Sequence, residues 1–203
     1  MQKIIDIGYL LAIYFVLFIL GKEIIETHLE WVPNRLFMPH DSYNHTLAPN
    51  FVQTVLVSPT NPNQKWDIRI NNQELRADND VTIPKPENVY RILMVGDSFI
   101  FWGNVKTIPE VVEDALNDKF GKPNLHFEVV NCGIPSYSPI LHLARLKIQY
   151  LSFDANAIIY LPDLTDIYDD THRYKWLARY DDSGNLIRVK GTTRILRSKR
   201  RHK

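Results

Sequence analysis

The feature that most constrains the fold of this chain is an alternation of strand-like and helix-like segments that begins at Val89. Apolar, β-favouring runs read VYRILMV, HFEVVN and NAIIYLP, and they cover residues 89–95, 126–131 and 156–162. Between them, residues 108–120 and 138–151 place apolar side chains at helical spacing. A β-α-β-α-β order predicts parallel strands joined by crossover helices that cover both faces of one sheet.

Each predicted strand ends in small or polar residues. The ends read Gly96-Asp97-Ser98, Asn131-Cys132-Gly133 and, at 161–166, LPDLTD. Ligands of open parallel sheets bind beyond the carboxyl ends of the strands, so we expect these three ends to meet at one edge. The alternative for Ser98 is that its hydroxyl simply caps the next helix.

The N-terminus carries a long apolar run, Ile4 to Leu20, with Asp6 as its one charge. At ~1.5 Å per residue it spans roughly 25 Å, close to the thickness of a bilayer core. Because no small-residue cleavage site follows, residues 1–25 are predicted to form an uncleaved transmembrane signal anchor. This predicts a single-pass membrane protein with its globular part outside the cytoplasm. A buried core helix is the alternative.

Composition divides the remainder of the chain. Residues 26–88 are rich in proline and asparagine with short alternating runs, and predict a β-rich, membrane-proximal segment. Residues 89–190 form the predicted α/β domain, which ends in a hairpin around DDSGN. Residues 191–203 form a basic tail that is either a solvated end or a binder of anionic lipid or nucleic acid. The net charge of +1 argues for no particular partner, and one cysteine, Cys132, excludes an internal disulfide.

Three sequence blocks follow the three predicted strands in order: RILMVGDSFIFWGNV, VVNCGIPSYSP and YLPDLTDIYDD. They resemble the SGNH (GDSL-like) hydrolase family over roughly residues 40–190. The upstream INNQELRADND is similar to the segment before the nucleophile in membrane-anchored bacterial members. The resemblance implies a three-layer α/β/α, flavodoxin-like fold with a parallel sheet. In this chain that fold would follow the transmembrane helix and the small β-rich segment.

The resemblance also implies roles for individual residues. Ser98 would be the nucleophile, and the backbone N–H groups of Ser98 and Gly133 would hold the oxyanion. Asn131 would shape the second loop, with Gly96, Asp97 and Asp166 in supporting positions. Thr165 stands where the family has an asparagine that donates to the oxyanion. A threonine hydroxyl still offers one donor, from a shorter side chain.

The general base is the largest departure from the family pattern. The family uses a histidine in an Asp-x-x-His motif after the last strand of its sheet, and none of the seven histidines lies in such a place. Asp169-x-x-His172 has the spacing but follows the third block directly, so His172 is a weak candidate for the base. A sheet of this family needs about five parallel strands, and three are found. We therefore expect an incomplete domain, either a fragment or a degenerate descendant.

Two function classes follow from these observations. The first is a membrane-anchored serine esterase or O-acyltransferase that acts on lipid, glycan or small acyl esters outside the cytoplasmic membrane, impaired without its base. The second is a non-catalytic, membrane-tethered binding or assembly module that keeps the fold. No cofactor, metal or nucleic-acid partner is predicted. The carboxylates near the third strand end match no calcium loop; they are Asp163, Asp166, Asp169 and Asp170.

Overall fold

The computed structural model describes residues 36–58, 61–103 and 106–191. The chain divides into two units, Met1–Leu36 and Phe37–Lys203, and the second contains all of the elements that follow. Its strands are β1 (Phe37–His40), β2 (Asn44–Leu47), β3 (Val52–Ser58), β4 (Asn61–Arg69), β5 (Val89–Gly96), β6 (His126–Gly133), β7 (Ala157–Leu161), β8 (Ala178–Tyr180) and β9 (Leu186–Val189). Its helices are α1 (Ser98–Phe101), α2 (Ile108–Phe120), α3 (Pro139–Ile148) and α4 (Asp166–Asp169), with a 3₁₀ turn at Tyr150–Phe153 and a π-helical turn at Asp170–Tyr174.

The centre of the unit is a parallel sheet with strand order β6-β5-β7. β5 is buried from Arg91 to Gly96, because it is paired on both sides and covered on both faces. One face packs against the 3₁₀ turn and the loop before β5; its buried residues are Leu93, Val95, Val130, Cys132, Tyr150, Phe153, Leu75 and Val81. The other face packs against α1 and α2; its residues are Ile92, Met94, Val129, Ile100, Val112 and Leu116.

Helix α2 begins at the residue that the sequence pattern indicates. Thr107 is the N-cap, and its N–H donates to the Glu110 carboxylate at 2.5 Å. This reciprocal Thr-x-x-Glu capping box satisfies two of the N–H groups that a helix start leaves unpaired. Pro109 fits in the first turn, where no intrahelical N–H bond is needed.

The predicted three-layer α/β/α fold class is wrong. The described residues contain a three-stranded parallel sheet together with three two-stranded antiparallel sheets, β1-β2, β3-β4 and β8-β9, so the architecture is mixed. The prediction took the parallel sheet as the architecture and the β-rich segment before it as a separate part, whereas the parallel and antiparallel sheets lie in one unit. The hairpin around DDSGN is β8-β9, and in its turn the Asp181 carboxylate accepts hydrogen bonds from the N–H groups of Ser183 and Asn185 at 3.0 and 2.8 Å.

The predicted transmembrane helix and single-pass, extracytoplasmic localisation are also corrected. Across 36–58, 61–103 and 106–191, the structure has no helix with the length and apolar character needed to cross a membrane. The anchor predicted at residues 1–25 lies outside the described residues, as does most of the predicted basic tail at 191–203.

A buried arginine on α3 connects this helix to β2 and to the loop that contains Glu74. The Arg145 side chain on α3 is fully buried, and its guanidinium donates to Thr46 Oγ1 at 3.0 Å and to the backbone oxygen of Glu74 at 3.1 Å. The Glu74 carboxylate lies 3.3 Å from the same guanidinium. The rings of Tyr43 and Tyr150 flank the charge at 5.0 and 5.2 Å. Charge, hydrogen bonds and aromatic contact together compensate for the loss of solvent at this cation.

Removing the Arg145 charge should therefore be costly. Arg145→Met leaves the Glu74 carboxylate and the Thr46 hydroxyl without their cationic donor, and we expect the free energy of unfolding to fall by about 3–5 kcal/mol. Urea denaturation followed by circular dichroism measures the loss. The matched control is Arg69→Met, because Arg69 forms an exposed ion pair with Asp67 and should cost less than about 1 kcal/mol. Equal losses in the two variants would contradict the assignment.

Two buried histidines make the fold sensitive to acid. Burial lowers the pKa of His45 to about 4 and that of His142 to about 3. The His45 ring lies between two oxygens, with Nδ1 3.0 Å from Asn44 Oδ1 and Nε2 3.1 Å from the Pro135 oxygen, and a neutral ring donates its single N–H to one of them. Neither ring nitrogen of His142 has a hydrogen-bond partner among the described residues. Both rings are therefore neutral in the folded protein near pH 7.

The sign of the pH dependence follows from these lowered values. An unfolded histidine binds a proton below a pKa of about 6.5, whereas the folded ones do not until about pH 4 or lower, so stability is lost progressively as pH falls below 6.5. We expect His142→Leu to weaken this acid loss and to cost little at pH 8, where it removes a buried group without partners. Urea midpoints between pH 8 and pH 4 test this. A variant whose pH profile parallels that of the unaltered protein would show that His142 does not contribute.

Candidate functional site

The three strand ends that the sequence singled out lie side by side. Gly96 at the end of β5 is paired with Gly133 on β6 and with Leu161 on β7. All three strands run in the same direction, so their carboxyl ends share one edge of the sheet. Ser98 lies two residues after the last residue of β5, and Asp163 lies two residues after the last residue of β7. The structure thus brings together strand ends that are 37 residues apart (Gly96 and Gly133) and 28 residues apart (Gly133 and Leu161) in the chain.

Ser98 is the first residue of α1, and Asp97 is the residue that caps the helix. The Asp97 carboxylate accepts the Phe99 N–H at 3.0 Å, which is the capping bond. Its second oxygen accepts the Ser98 hydroxyl at 3.2 Å. The Ser98 side chain is partly exposed and does not cap its own helix. Its hydroxyl is thus held by a neighbouring carboxylate at the rim of the sheet.

Two glycines allow α1 to fold directly onto the strand ends. A Cβ at Gly133 would lie 2.4 Å from the Phe101 nitrogen and 2.7 Å from the Ile100 carbonyl carbon. A Cβ at Gly96 would lie 2.6 Å from Ile100 Cγ1 and 3.0 Å from the Leu161 oxygen. Any larger residue would push the helix away from the sheet. The position of Ser98 therefore depends on glycine at both 96 and 133, because a side chain at either position would collide with α1.

Gly133→Ala tests this dependence. The added methyl group meets backbone atoms of α1 that cannot rotate away, so we expect a loss of about 1–3 kcal/mol in the free energy of unfolding. The exposed Ser183→Ala in the β8-β9 turn is the control and should stay within about 0.5 kcal/mol. Chemical denaturation of both variants measures the difference. An alanine at 133 that leaves stability unchanged would mean that α1 is not seated on β6.

The second loop is organised by Asn131, which is buried. Its side-chain oxygen accepts the Gly133 N–H at 3.0 Å, and its amide nitrogen donates to the Ile100 oxygen at 3.2 Å. Asn131 thus ties the end of β6 to α1. The Gly133 N–H is engaged by this bond. Its predicted role as an oxyanion donor stays a prediction, and it requires that the N–H exchange Asn131 for the substrate.

The third loop also uses its polar groups internally. The N–H and hydroxyl of Thr165 both donate to Asp163 Oδ1, at 2.6 and 2.7 Å, so the hydroxyl predicted to serve the oxyanion is occupied. Asp166 is 3% exposed, and its carboxylate accepts the Asp163 N–H at 3.0 Å. Burial and the nearby carboxylates of Asp97, Asp163 and Asp170 raise the pKa of Asp166 above its ordinary value. This edge of the sheet is therefore rich in carboxylates.

His172 lies in the π-helical turn and is exposed. Its ring stacks on Tyr168 with centroids 4.1 Å apart, and Nδ1 lies 2.8 Å from Thr171 Oγ1. The Asp169 carboxylate pairs with Arg173 at 3.1 Å rather than with the histidine. Among the described residues, no histidine is hydrogen-bonded to the Ser98 hydroxyl, whose bond goes to Asp97. A role for His172 as the base stays a prediction and requires the ring to leave Tyr168.

The sequence reasoning missed two features of this edge. The Ser138 hydroxyl and the Ile140 N–H at the start of α3 both donate to the Asp170 carboxylate, which ties the third loop to α3. Four exposed apolar side chains also belong to the segments at this edge: Phe99 is 68% exposed, Leu164 92%, Ile167 70% and Tyr168 59%. The Ser138–Asp170 contact joins residues 32 positions apart and leaves no local signal. The apolar side chains were visible in the sequence, but their exposure was not.

The described part of the chain has no cluster of three or more His, Cys, Asp or Glu residues arranged to hold a metal ion. Comparison of the chain with protein-family models, curated proteins and solved structures finds no match. The resemblance to SGNH hydrolases therefore stays a prediction from the three sequence blocks.

Proposed function

We propose that the chain is an SGNH-like serine esterase or O-acyltransferase whose reacting group is the Ser98 hydroxyl. The observation that supports this most is the position of Ser98. It follows a buried parallel strand, opens a short helix that another residue caps, and keeps a partly exposed hydroxyl bonded to Asp97. A serine with a purely structural role at a helix start would instead accept a backbone N–H of the first turn with its side-chain oxygen.

In the proposed mechanism, the Ser98 oxygen attacks the carbonyl carbon of an acyl ester. The hydroxyl proton passes to a base as the C–O bond forms, and the base returns it to the leaving oxygen, so that an alcohol departs when the tetrahedral intermediate collapses to an acyl-enzyme. The N–H of Ser98 lies in the first turn of α1, where backbone N–H groups have no intrahelical acceptor, and it is the proposed first oxyanion donor. Gly133 and Thr165 would add donors after exchanging their internal partners. Water or a second hydroxyl then takes the acyl group.

A second candidate function is a non-catalytic binding module. It is favoured by the engagement of the Gly133 N–H with Asn131, of the Thr165 hydroxyl with Asp163, and of His172 with Tyr168 and Thr171. General-base help contributes typically 10²–10⁴-fold to such reactions. Among the described residues the Ser98 hydroxyl is bonded to Asp97 and not to a histidine, and this arrangement predicts slow turnover.

A fluorophosphonate probe separates the two candidates. We expect the probe to label the full chain slowly, and Ser98→Ala to abolish labelling because the nucleophilic oxygen is gone. Ser183→Ala, an exposed serine in the β8-β9 turn, is the matched control and should label like the unaltered chain. Mass spectrometry of the labelled peptide identifies the site. Labelling of Ser98→Ala equal to that of the control would reject the esterase proposal, and no labelling of either would favour the binding module.

A further inference from the structure

Helix α1, which carries Ser98, is too short to hold its own position. It runs from Ser98 to Phe101, and its backbone bonds join the Phe101 N–H to the Asp97 oxygen at 3.1 Å and the Trp102 N–H to the Ser98 oxygen at 2.8 Å. Isolated helices shorter than ~12–15 residues are marginal in water. The carbonyl groups of a last helical turn also need partners from outside the helix. The groups that bind these carbonyls therefore decide where Ser98 lies.

Arg76, in the loop after β4, binds the carbonyls at the end of α1. Its Nη1 donates to the Phe101 oxygen, and its Nη2 donates to the Gly103 oxygen at 3.1 Å. From the side of β6, the Asn131 amide donates to the Ile100 oxygen at 3.2 Å. Basic side chains are common partners of the last carbonyls of a helix, and the rigid fork of an arginine can bind two of them at once. Arg76 thus holds the end of α1 that is opposite to Ser98.

Two aromatic rings contact the guanidinium of Arg76. Its central carbon lies 4.8 Å from the centre of the Trp66 ring on β4 and 5.3 Å from the centre of the Phe101 ring. Trp66 also meets the ring of Trp102 edge-on, with centroids 6.5 Å apart. Burial lowers the pKa of Arg76 to about 10, an effect that the Glu110 carboxylate partly offsets, so the guanidinium is protonated near pH 7. The cation therefore has favourable contacts with both rings and connects β4 to α1.

The hydrogen bonds of Arg76 differ from those of the two fully buried arginines. Arg145 and Arg91 each pair with a carboxylate, that of Glu74 and of Glu128 respectively. Among the described residues, Arg76 has no carboxylate within ion-pair distance, and its hydrogen bonds go to the end of α1 and the residue that follows Trp102. Its donors are thus directed at the one element that carries the candidate nucleophile.

We propose that Arg76 is a positioning residue for the reaction at Ser98, which it places by holding the far end of α1. The inference rests on the proposed function. Arg76 acts through the backbone of α1 and not on the reacting atoms, because its contacts are with the carbonyls of Phe101 and Gly103. A displacement of about 1 Å at a reacting group can cost about 10²-fold in rate, so a residue that seats α1 controls the reactivity of the serine.

Arg76→Lys in the full chain tests the proposal, because lysine keeps the charge but donates from a single nitrogen and cannot bridge two carbonyls in a fixed geometry. We expect fluorophosphonate labelling of Ser98 to slow about tenfold to hundredfold, with the loss in the bond-forming step and not in the affinity for the probe. Arg69→Lys, at an exposed arginine on β4, is the matched control and should label like the unaltered chain. Circular dichroism verifies that both variants are folded.

Arg76→Ala adds a test by chemical rescue. The truncated side chain leaves space beside the Trp66 and Phe101 rings for a small planar cation. We expect ethylguanidinium at millimolar concentration to restore much of the lost labelling rate, and ethylammonium at the same concentration to restore none of it. An arginine that served only stability would lower the folded fraction instead, and the two cations would then act alike.

Hydrogen exchange separates a failure of this inference from a failure of the proposed function. The Phe101 and Trp102 N–H groups donate within α1, so exchange in residues 97–103 reports how firmly α1 is seated even where Ser98 does not react. We expect Arg76→Lys to accelerate this exchange about tenfold and Arg69→Lys to leave it unchanged. An unaltered chain that the probe does not label would reject the proposed chemistry and leave exchange to decide the role of Arg76. Unchanged exchange in Arg76→Lys, or labelling at the rate of the control, overturns the positioning role.

Discussion

The alignment of Gly96 with Gly133 and Leu161 is the constraint on which the rest of the structure depends. Three parallel strands end level with one another, and the lack of side chains at two of these ends lets α1 lie directly against the sheet. Without that approach, Ile100 could not enter the apolar layer beneath α2, and Ser98 would have no fixed position. Core packing and placement of the candidate nucleophile are thus consequences of one close contact.

Two buried arginines, Arg145 and Arg91, hold further segments together around the sheet. Arg145 joins α3 to β2 and to the loop that contains Glu74. Arg91, inside β5, donates to Glu128 on β6 and to the backbone oxygens of Phe153 and Thr82. Each guanidinium bonds backbone or side-chain oxygens from two or three separate segments, which a point charge could not do as well. The short β1-β2 hairpin, which is marginal on its own, is in this way attached to α3.

The sequence predicted the local elements of the middle of the chain and failed on their assembly. The buried run at 89–95 is β5, the helical period at 108–120 is α2, and the meeting of strand ends followed from parallel topology. The fold class failed because three two-stranded antiparallel sheets share the unit with the parallel sheet, and the pairing of β1 with β2 and of β3 with β4 was not assigned from the short alternating runs. The engagement of the Gly133 N–H by Asn131, and of Asp169 by Arg173, could not be read from spacing. Each of these groups has several possible hydrogen-bond partners nearby, and the packing of the folded chain decides which of them it contacts.

The carboxylates around Ser98 bear on both candidate functions. Negative charge that develops on a substrate oxygen here would be repelled by Asp97, Asp163 and Asp166. Two like unit charges 4 Å apart repel each other by about 4 kcal/mol at an effective dielectric constant of 20. An oxyanion site must therefore supply donors that outweigh this repulsion, and two of the three proposed donors are bonded internally. Holding Ser98 as a donor to Asp97 is equally compatible with binding a hydroxyl-bearing ligand. What distinguishes an enzyme from a binding module at this edge is thus the freedom of the Gly133 and Thr165 donors to turn toward a ligand, rather than the placement of the serine itself.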